Sequence, residues 1–247
     1  MKFTICKHLL KDYPNMSIGL VIARFSDKLN LEFVNNSVTK ITKTAQEKMP
    51  DGTISSNSSL ALWKKIYANF TTRSKNIEAS VIALSRRAKN NKFPRINPIV
   101  DTYNLSSIIT STPIGGYDLD NISGNITIQY SGESRAFNGI GMSQTIHTDP
   151  ADIIYKDDQN TLCWLWNYRD SQQTLINEST KHAIFFLDCV DSNALLETNL
   201  QSAQERLIDS LQNLGGKVMS QNILNAESPG IELDVTEHTQ KIENLLQ

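Results

Sequence analysis

The chain holds three cysteines and four histidines in 247 residues, and neither set is arranged for chemistry. Cys6, Cys163 and Cys189 are odd in number and widely spaced, which argues against a paired metal motif and a disulfide framework. Cys163 and Cys189 lie within apolar runs, the setting of inert buried thiols. His8, His147, His182 and His238 never recur at ligand spacing, so no metal site is expected. There is no phosphate loop, dinucleotide fingerprint, zinc-protease helix or nucleophile elbow, and no cofactor is expected. No apolar run reaches the length of a membrane span. The first residues are broken by Lys7, His8 and Lys11 and lack a signal peptide's continuous apolar segment. A cytoplasmic protein is the expectation.

Charge excludes less. A net charge of −2 argues against a surface coated in basic residues for generic nucleic-acid binding, but allows a local basic face. Nine of the 24 Lys and Arg residues fall between Lys64 and Arg95: Lys64, Lys65, Arg73, Lys75, Arg86, Arg87, Lys89, Lys92 and Arg95. A solvated helical surface accounts for them as simply as an anion-binding one.

Ser17 to Phe25 reads as a buried strand, rich in β-branched residues and uncharged until Arg24. Asn35 to Lys48 has weak helical spacing, and Met49-Pro-Asp-Gly52 reads as a turn. Ser58 or Ser59 is placed to cap a helix to about Phe70, with Leu60, Trp63, Tyr67 and Phe70 along one face. A second helix from Ile77 to Lys89 presents Val81, Leu84 and Ala88. Together these two make a helical hairpin over residues 58–92. Strands are expected at 125–130, 153–156, 161–166, 183–190 and 218–224, with a hairpin turn at Asp157-Asp-Gln-Asn160. From Asn193 to Leu214 the stripe Leu196, Leu200, Ala203, Leu207, Leu211 and Leu214 marks a helix. Asp191 or Ser192 would cap it, and Gly215-Gly216 would end it. A tail helix near His238 to Leu246 closes the map. Strands and helices alternate without regular βαβ spacing, so the expected class is α+β, layered, with largely antiparallel sheets and packed helices. One domain over 1–247 is expected, with a core at 17–224 and a tail at 225–247.

Two stretches carry candidate chemistry. The first runs from Arg95-Ile-Asn-Pro-Ile-Val-Asp-Thr-Tyr-Asn104 to Pro113-Ile-Gly-Gly-Tyr-Asp-Leu-Asp120. Its polar, Gly and Pro residues beside an apolar run suit a lined pocket better than a core strand. The pair Gly115-Gly116 marks either a close backbone approach or a tight turn before a strand. The second is Trp164-Leu-Trp-Asn-Tyr-Arg-Asp-Ser-Gln-Gln-Thr174. Its aromatic walls run directly into hydrogen-bonding side chains, as a small-molecule pocket requires. A turn built on Arg169 and Asp170 is the simpler alternative.

These blocks, with Arg86-Arg87, Ile-Tyr-Lys-Asp-Asp158 and Glu178-Ser-Thr-Lys181, resemble the amino-acid editing domain in the beta subunit of bacterial phenylalanyl-tRNA synthetase. They resemble still more closely the freestanding relatives of that domain, the B-three/four family, across residues 17–224. The resemblance implies that fold and the hydrolysis of mischarged tRNA. This chain departs from the synthetase domain at three places. Gly115 stands where that domain has a histidine, and Gln173 is nearest its tyrosine-recognising glutamate. Its Thr-Asn pair becomes Tyr103-Asn104. Selectivity for tyrosine is therefore not implied. One freestanding relative removes an arginine analogue, and Asp118, Asp120 or Asp170 would suit a cationic side chain or an α-amino group.

An aminoacyl ester is already activated, so a positioned water and an oxyanion site suffice without a strong nucleophile. Backbone N–H groups at Gly115 and Gly116 are candidate oxyanion donors. Asn104 or Asn167 is placed to orient water, and Asp170 to act as base or amine anchor. Tyr117, Trp166, Arg169 and Thr174 complete the expected substrate pocket with Asp118, Asp120, Asn167 and Gln173. Arg86, Arg87, Arg95 and Arg135 are the candidates for contacting the tRNA acceptor end by its phosphates. The competing readings are a non-catalytic tRNA-, RNA- or amino-acid-binding module, and a hydrolase or binder of free amino-acid derivatives.

Overall fold

The computed structural model describes residues 1–49, 59–70, 77–193 and 199–233. The apolar run of the second strand explains the layering. In β2 (Ser17–Arg24), Ile18, Leu20 and Ile22 face one core while Val21 and Ala23 face another. β10 (His182–Cys189) repeats the pattern, with Ile184 and Phe186 on one side and Phe185 and Leu187 on the other. Strands buried on both faces need apolar residues at every position, so these read as continuous runs rather than alternations.

These two strands are the centre of a four-stranded sheet in the order β11-β2-β10-β3, where β3 is Ile114–Asp118 and β11 is Lys217–Leu224. All of its pairings are antiparallel. One face packs on a six-stranded sheet in the order β12-β1-β4-β7-β8-β9. That sheet comprises β1 (Lys2–Ile5), β4 (Ile126–Tyr130), β7 (Ile153–Lys156), β8 (Thr161–Trp164), β9 (Arg169–Asp170) and β12 (Gly230–Glu232). The parallel pair β1–β4 is its exception to antiparallel order. The other face of the four-stranded sheet packs on helices α2 (Leu31–Lys48), α5 (Pro98–Thr110) and α6 (Leu200–Leu214). A short pair, β5 (Ala136–Phe137) and β6 (Ile146–His147), stands apart. Helix α1 (Lys7–Asp12) packs near β4. The class is α+β, with largely antiparallel sheets and packed helices, as the sequence implies.

Several elements differ from their sequence reading. Residues 95–97 lead into helix α5 and 98–104 begin it: Asn97 accepts from the Val100 N–H (2.9 Å), and Pro98 takes the first helical position. The helix is buried nearly all round, with Asp101, Ser106 and Ser107 inside as well as Ile99 and Ile108, so no amphipathic stripe announces it. Gly115 and Gly116 lie within strand β3, and neither has a positive φ, so the turn reading fails. Helix α6 is capped by Asn199 accepting from the Ser202 N–H (2.8 Å), and Gly215 (φ 103) ends it in the left-handed region as expected. Helix α3 (Ser59–Ala68) lays Trp63 edge-on against Trp166, whereas α4 (Ser80–Lys89) packs on α2 and α5. The expected core of 17–224 is extended at both ends by β1 and β12, which pair through Lys2 and Glu232. Ser58, Arg73, Lys75, the turn at 50–52, Leu196 and the tail helix at 238–246 lie outside the described residues.

Candidate active site

Beyond the edge strand β3, between the helical layer and the larger sheet, lies a cavity of about 510 Å³. One wall comes from α4 and α5, through Ser80, Ala83, Leu84, Arg87, Val100, Tyr103 and Asn104. The opposite wall comes from Tyr155 and from the β8–β9 turn, residues Trp166 to Asp170. Gly115, Gly116, Tyr117, Phe186 and Asp188 form the sheet side, and Ile140 stands at the mouth.

Space rather than dihedral angle calls for glycine at 116, and makes position 115 tight. A Cβ on Gly116 would meet Tyr103 at 2.9 Å, with Ile176 and Phe185 at 3.0 Å. On Gly115 it would stand 3.2 Å from the Tyr117 hydroxyl. Their N–H groups are not equivalent. The Asp188 N–H donates to the Pro113 carbonyl (3.0 Å), and the Asp118 N–H donates away from β10, to the Thr174 carbonyl (2.9 Å). Antiparallel alternation then directs the Gly115 and Tyr117 N–H groups to β10 and the Gly116 N–H to the open edge. Of the two expected oxyanion donors, only Gly116 retains a free direction.

On the far wall, Leu165 (φ 53) and Trp166 (φ 64) are consecutive left-handed residues with side chains, a costly backbone held by its surroundings. Tyr67 of α3 donates its hydroxyl to the Leu165 carbonyl (2.7 Å) and lies 3.0 Å from the Asn167 amide oxygen. The Ser80 N–H donates to the Asn167 carbonyl (3.3 Å). This buckle turns Trp166 into the core against Trp63 and Tyr13 and sets Asn167 at the cavity.

Three carboxylates line the cavity: Glu78, which pairs with Arg86, and two that are each held by a tyrosine. The Tyr117 hydroxyl donates to Asp170 at 3.0 Å, and the Tyr155 hydroxyl to Asp188 at 2.5 Å. Asp188 also accepts from the Asn167 amide at 3.0 Å, while the Trp166 indole N–H lies near it outside hydrogen-bond geometry. Burial pushes the Asp188 carboxyl up to about 6, offset in part by Tyr155 and Asn167. Burial also raises Asp170, opposed by the Cys163 thiol, the Tyr117 hydroxyl and the Arg169 guanidinium. Asn104 is 6% exposed and its side chain makes no hydrogen bond within the described residues. Its amide thus keeps open bonding capacity on the cavity wall.

An unfolded carboxyl titrates near 4, so with a folded value near 6 the Asp188 contribution falls as pH rises through that window and stays low above it. Asp188→Asn is therefore expected to stabilise the fold by about 1–3 kcal/mol at pH 7.5, with the gain vanishing below about pH 4. Thermal unfolding across that range tests it; a difference that does not change with pH would contradict the assignment.

Asn104, Gly115, Gly116, Tyr117, Trp166, Asn167, Arg169 and Asp170 meet at this cavity, with Arg87 at its rim. The other expected substrate residues do not. Asp118 is buried and accepts from the Thr180 hydroxyl (2.7 Å) and the Asp120 N–H (3.0 Å), which makes it a turn-holding group. Asp120 sits 3.4 Å from His182, Gln173 is exposed, and Thr174 is buried away from the cavity. Arg95 is committed to Asp101 (2.7 Å) and Asn35 (2.8 Å), Arg135 to Glu133 (2.6 Å), and Arg86 to Glu78. Asp188, Tyr155 and Tyr103 were not anticipated. The signal for Asp188 was present: one acid inside the apolar run Ala183-Ile-Phe-Phe-Leu-Asp-Cys189.

The architecture defines an α+β domain with a polar, aromatic-walled cavity large enough for a small-molecule portion of a substrate. The chain belongs to the B3/4 domain family, whose model matches residues 62–214. It is 29% identical over 121 residues to the phenylalanine–tRNA ligase beta subunit of Mycoplasma genitalium, covering 49% of this chain and 14% of that subunit. An N-terminal fragment of the phenylalanyl-tRNA synthetase beta subunit from Pyrococcus horikoshii superposes over 87% of this chain and 49% of that one, with TM-score 0.42 and 13% identity. The chain is thus a relative of the synthetase beta-subunit domain and spans a small part of that subunit's length. No helix among the described residues is long and apolar enough to cross a membrane.

Proposed function

We propose that this chain hydrolyses the ester of mischarged aminoacyl-tRNA, acting in trans on RNA charged elsewhere. The observation that carries this reading is the convergence of Asn104, the Gly116 edge, Asn167 and Asp170 on one cavity in a B3/4 domain. In this reading the aminoacyl group enters between the diglycine strand and the β8–β9 turn. Asp170, its basicity raised by burial, takes the proton of the attacking water or holds the substrate's α-ammonium. Asn104 orients the water. The Gly116 N–H faces the oxygen on which charge develops. As the tetrahedral intermediate collapses, the proton taken from the water passes from Asp170 to the departing ribose oxygen, giving free amino acid and uncharged tRNA.

A panel of tRNAs, each carrying a non-cognate amino acid and spanning aromatic and cationic side chains, tests the proposal. Free amino acid should be released from at least one of them, and Asn104→Ala should slow that release roughly 10- to 100-fold if it orients the water. Survival of every charged tRNA would remove the catalytic claim. The absence of a nucleophile–base pair among the cavity residues favours a second reading, a module that binds charged tRNA without hydrolysing it. Filter binding that retains intact charged tRNA would select that reading.

A further inference from the structure

Helix α4 has two jobs on the surface. Its residues Ser80, Ala83, Leu84 and Arg87 line the cavity, and its C-terminal turn carries Arg86, Arg87 and Lys89, followed by Lys92. Helix α2 lies against it, and the Thr42 hydroxyl meets the Asn91 side chain at 3.4 Å. That contact brings exposed Lys43 alongside the basic end of α4, with exposed Lys40 one turn earlier. Six cations from segments far apart in sequence therefore share one side of the molecule. Glu47 and Glu78 are the acids beside them, facing Lys43 (4.0 Å) and Arg86; Glu32 is at the opposite end of α2. Arg87, Lys89, Lys92 and Lys40 have no ion-pair partner among the described residues. A local excess of positive charge on a chain whose net charge is −2 is not a by-product of composition.

We propose that the adjoining surfaces of α2 and α4 form a binding face for an RNA phosphate backbone, leading away from the cavity mouth at Arg87. This rests on the deacylase reading, and it assigns the direction in which the tRNA leaves the site. Lys40 and Lys92, exposed and without an ion-pair partner among the described residues, suit sequence-independent phosphate contacts, each releasing counterions, and exposed Lys43 shares only a long contact with Glu47 (4.0 Å). Arg95 and Arg135, whose guanidinium groups already face Asp101 and Glu133, are less suited to that task.

The test is charge reversal at two residues outside the cavity, Lys43→Glu with Lys92→Glu, compared with Lys7→Glu with Lys11→Glu on α1. Filter binding of uncharged tRNA as salt is varied gives the affinity and its salt slope. Hydrolysis of a 3′-O-aminoacyl-adenosine reports the cavity alone. The first pair should weaken tRNA binding roughly tenfold or more and reduce the salt slope by about 1.5–2, for two lost contacts. Small-ester turnover should be unchanged, and the α1 pair should bind as the parent does. Parental affinity and slope in the first pair, or an equal loss in the α1 pair, would overturn the proposal. If small esters survive every protein while tRNA binding follows the expected pattern, the deacylase reading fails and the binding face stands.

Discussion

Asp170→Asn is expected to lower kcat/KM on a mischarged tRNA by about 10²–10⁴-fold, the range of a lost general base, with uncharged tRNA bound as tightly as before. The substitution is nearly isosteric. Its amide oxygen still accepts the Tyr117 hydroxyl, so the cavity wall is kept while the carboxylate is removed. Burial raises Asp170 from the usual carboxylate range, so the active, ionised form is lost at a higher pH than for an exposed acid. Activity of the parent should fall as pH drops through that raised value, and the variant should lack this acid limb. An N-acetylated aminoacyl-tRNA separates the two roles of Asp170. A base is needed for it as much as for the free amine, whereas an ammonium anchor has nothing to hold. Full turnover by Asp170→Asn on both substrates would end the assignment.

Trp166→Ala is expected to be the most destabilising single change, at about 3–5 kcal/mol. The indole is completely buried and packs edge-on against Trp63 (5.2 Å) and Tyr13 (4.9 Å), joining α3 and the N-terminal segment to the β8–β9 turn. Removing it leaves a void beside the cavity and keeps the left-handed backbone at residue 166, which alanine tolerates no better. A fall in Tm of roughly 8–15 °C follows for a chain of this size. Melting within two or three degrees of the parent would show that the tryptophan is not the keystone of this wall.

The parts of the fold that were legible in sequence are those with a one-dimensional signature. Helix α6 declares itself by an apolar stripe stopped at Gly215. Strands β2 and β10 do so by apolar runs, that of β10 interrupted at Asp188, and the β7–β8 hairpin by Asp157, whose carboxylate accepts from the Gln159 (2.8 Å) and Asn160 (2.5 Å) N–H groups. Helix α5 is buried on every side and has no stripe to read. Gly115-Gly116 left a turn and a close approach both open, because the atoms that crowd Gly116, on Tyr103, Ile176 and Phe185, are brought there from elsewhere in the chain.

For the candidate site the division is sharper. The amino-acid order alone determined which two blocks, 95–120 and 164–174, carry the polar and aromatic groups of a pocket, because side-chain type is a local property. Only the tertiary structure decided which of those groups face the cavity. Asp118 and Asp170 are both acids in those blocks, yet the first is held by Thr180 within a turn and the second opens onto the void. Tertiary structure likewise brought in Asp188 from a core strand, and set Lys43 beside Lys92 across a helix contact. Burial, hydrogen-bond partners and the summed field of distant charges are properties of three-dimensional proximity, which no spacing along one chain encodes.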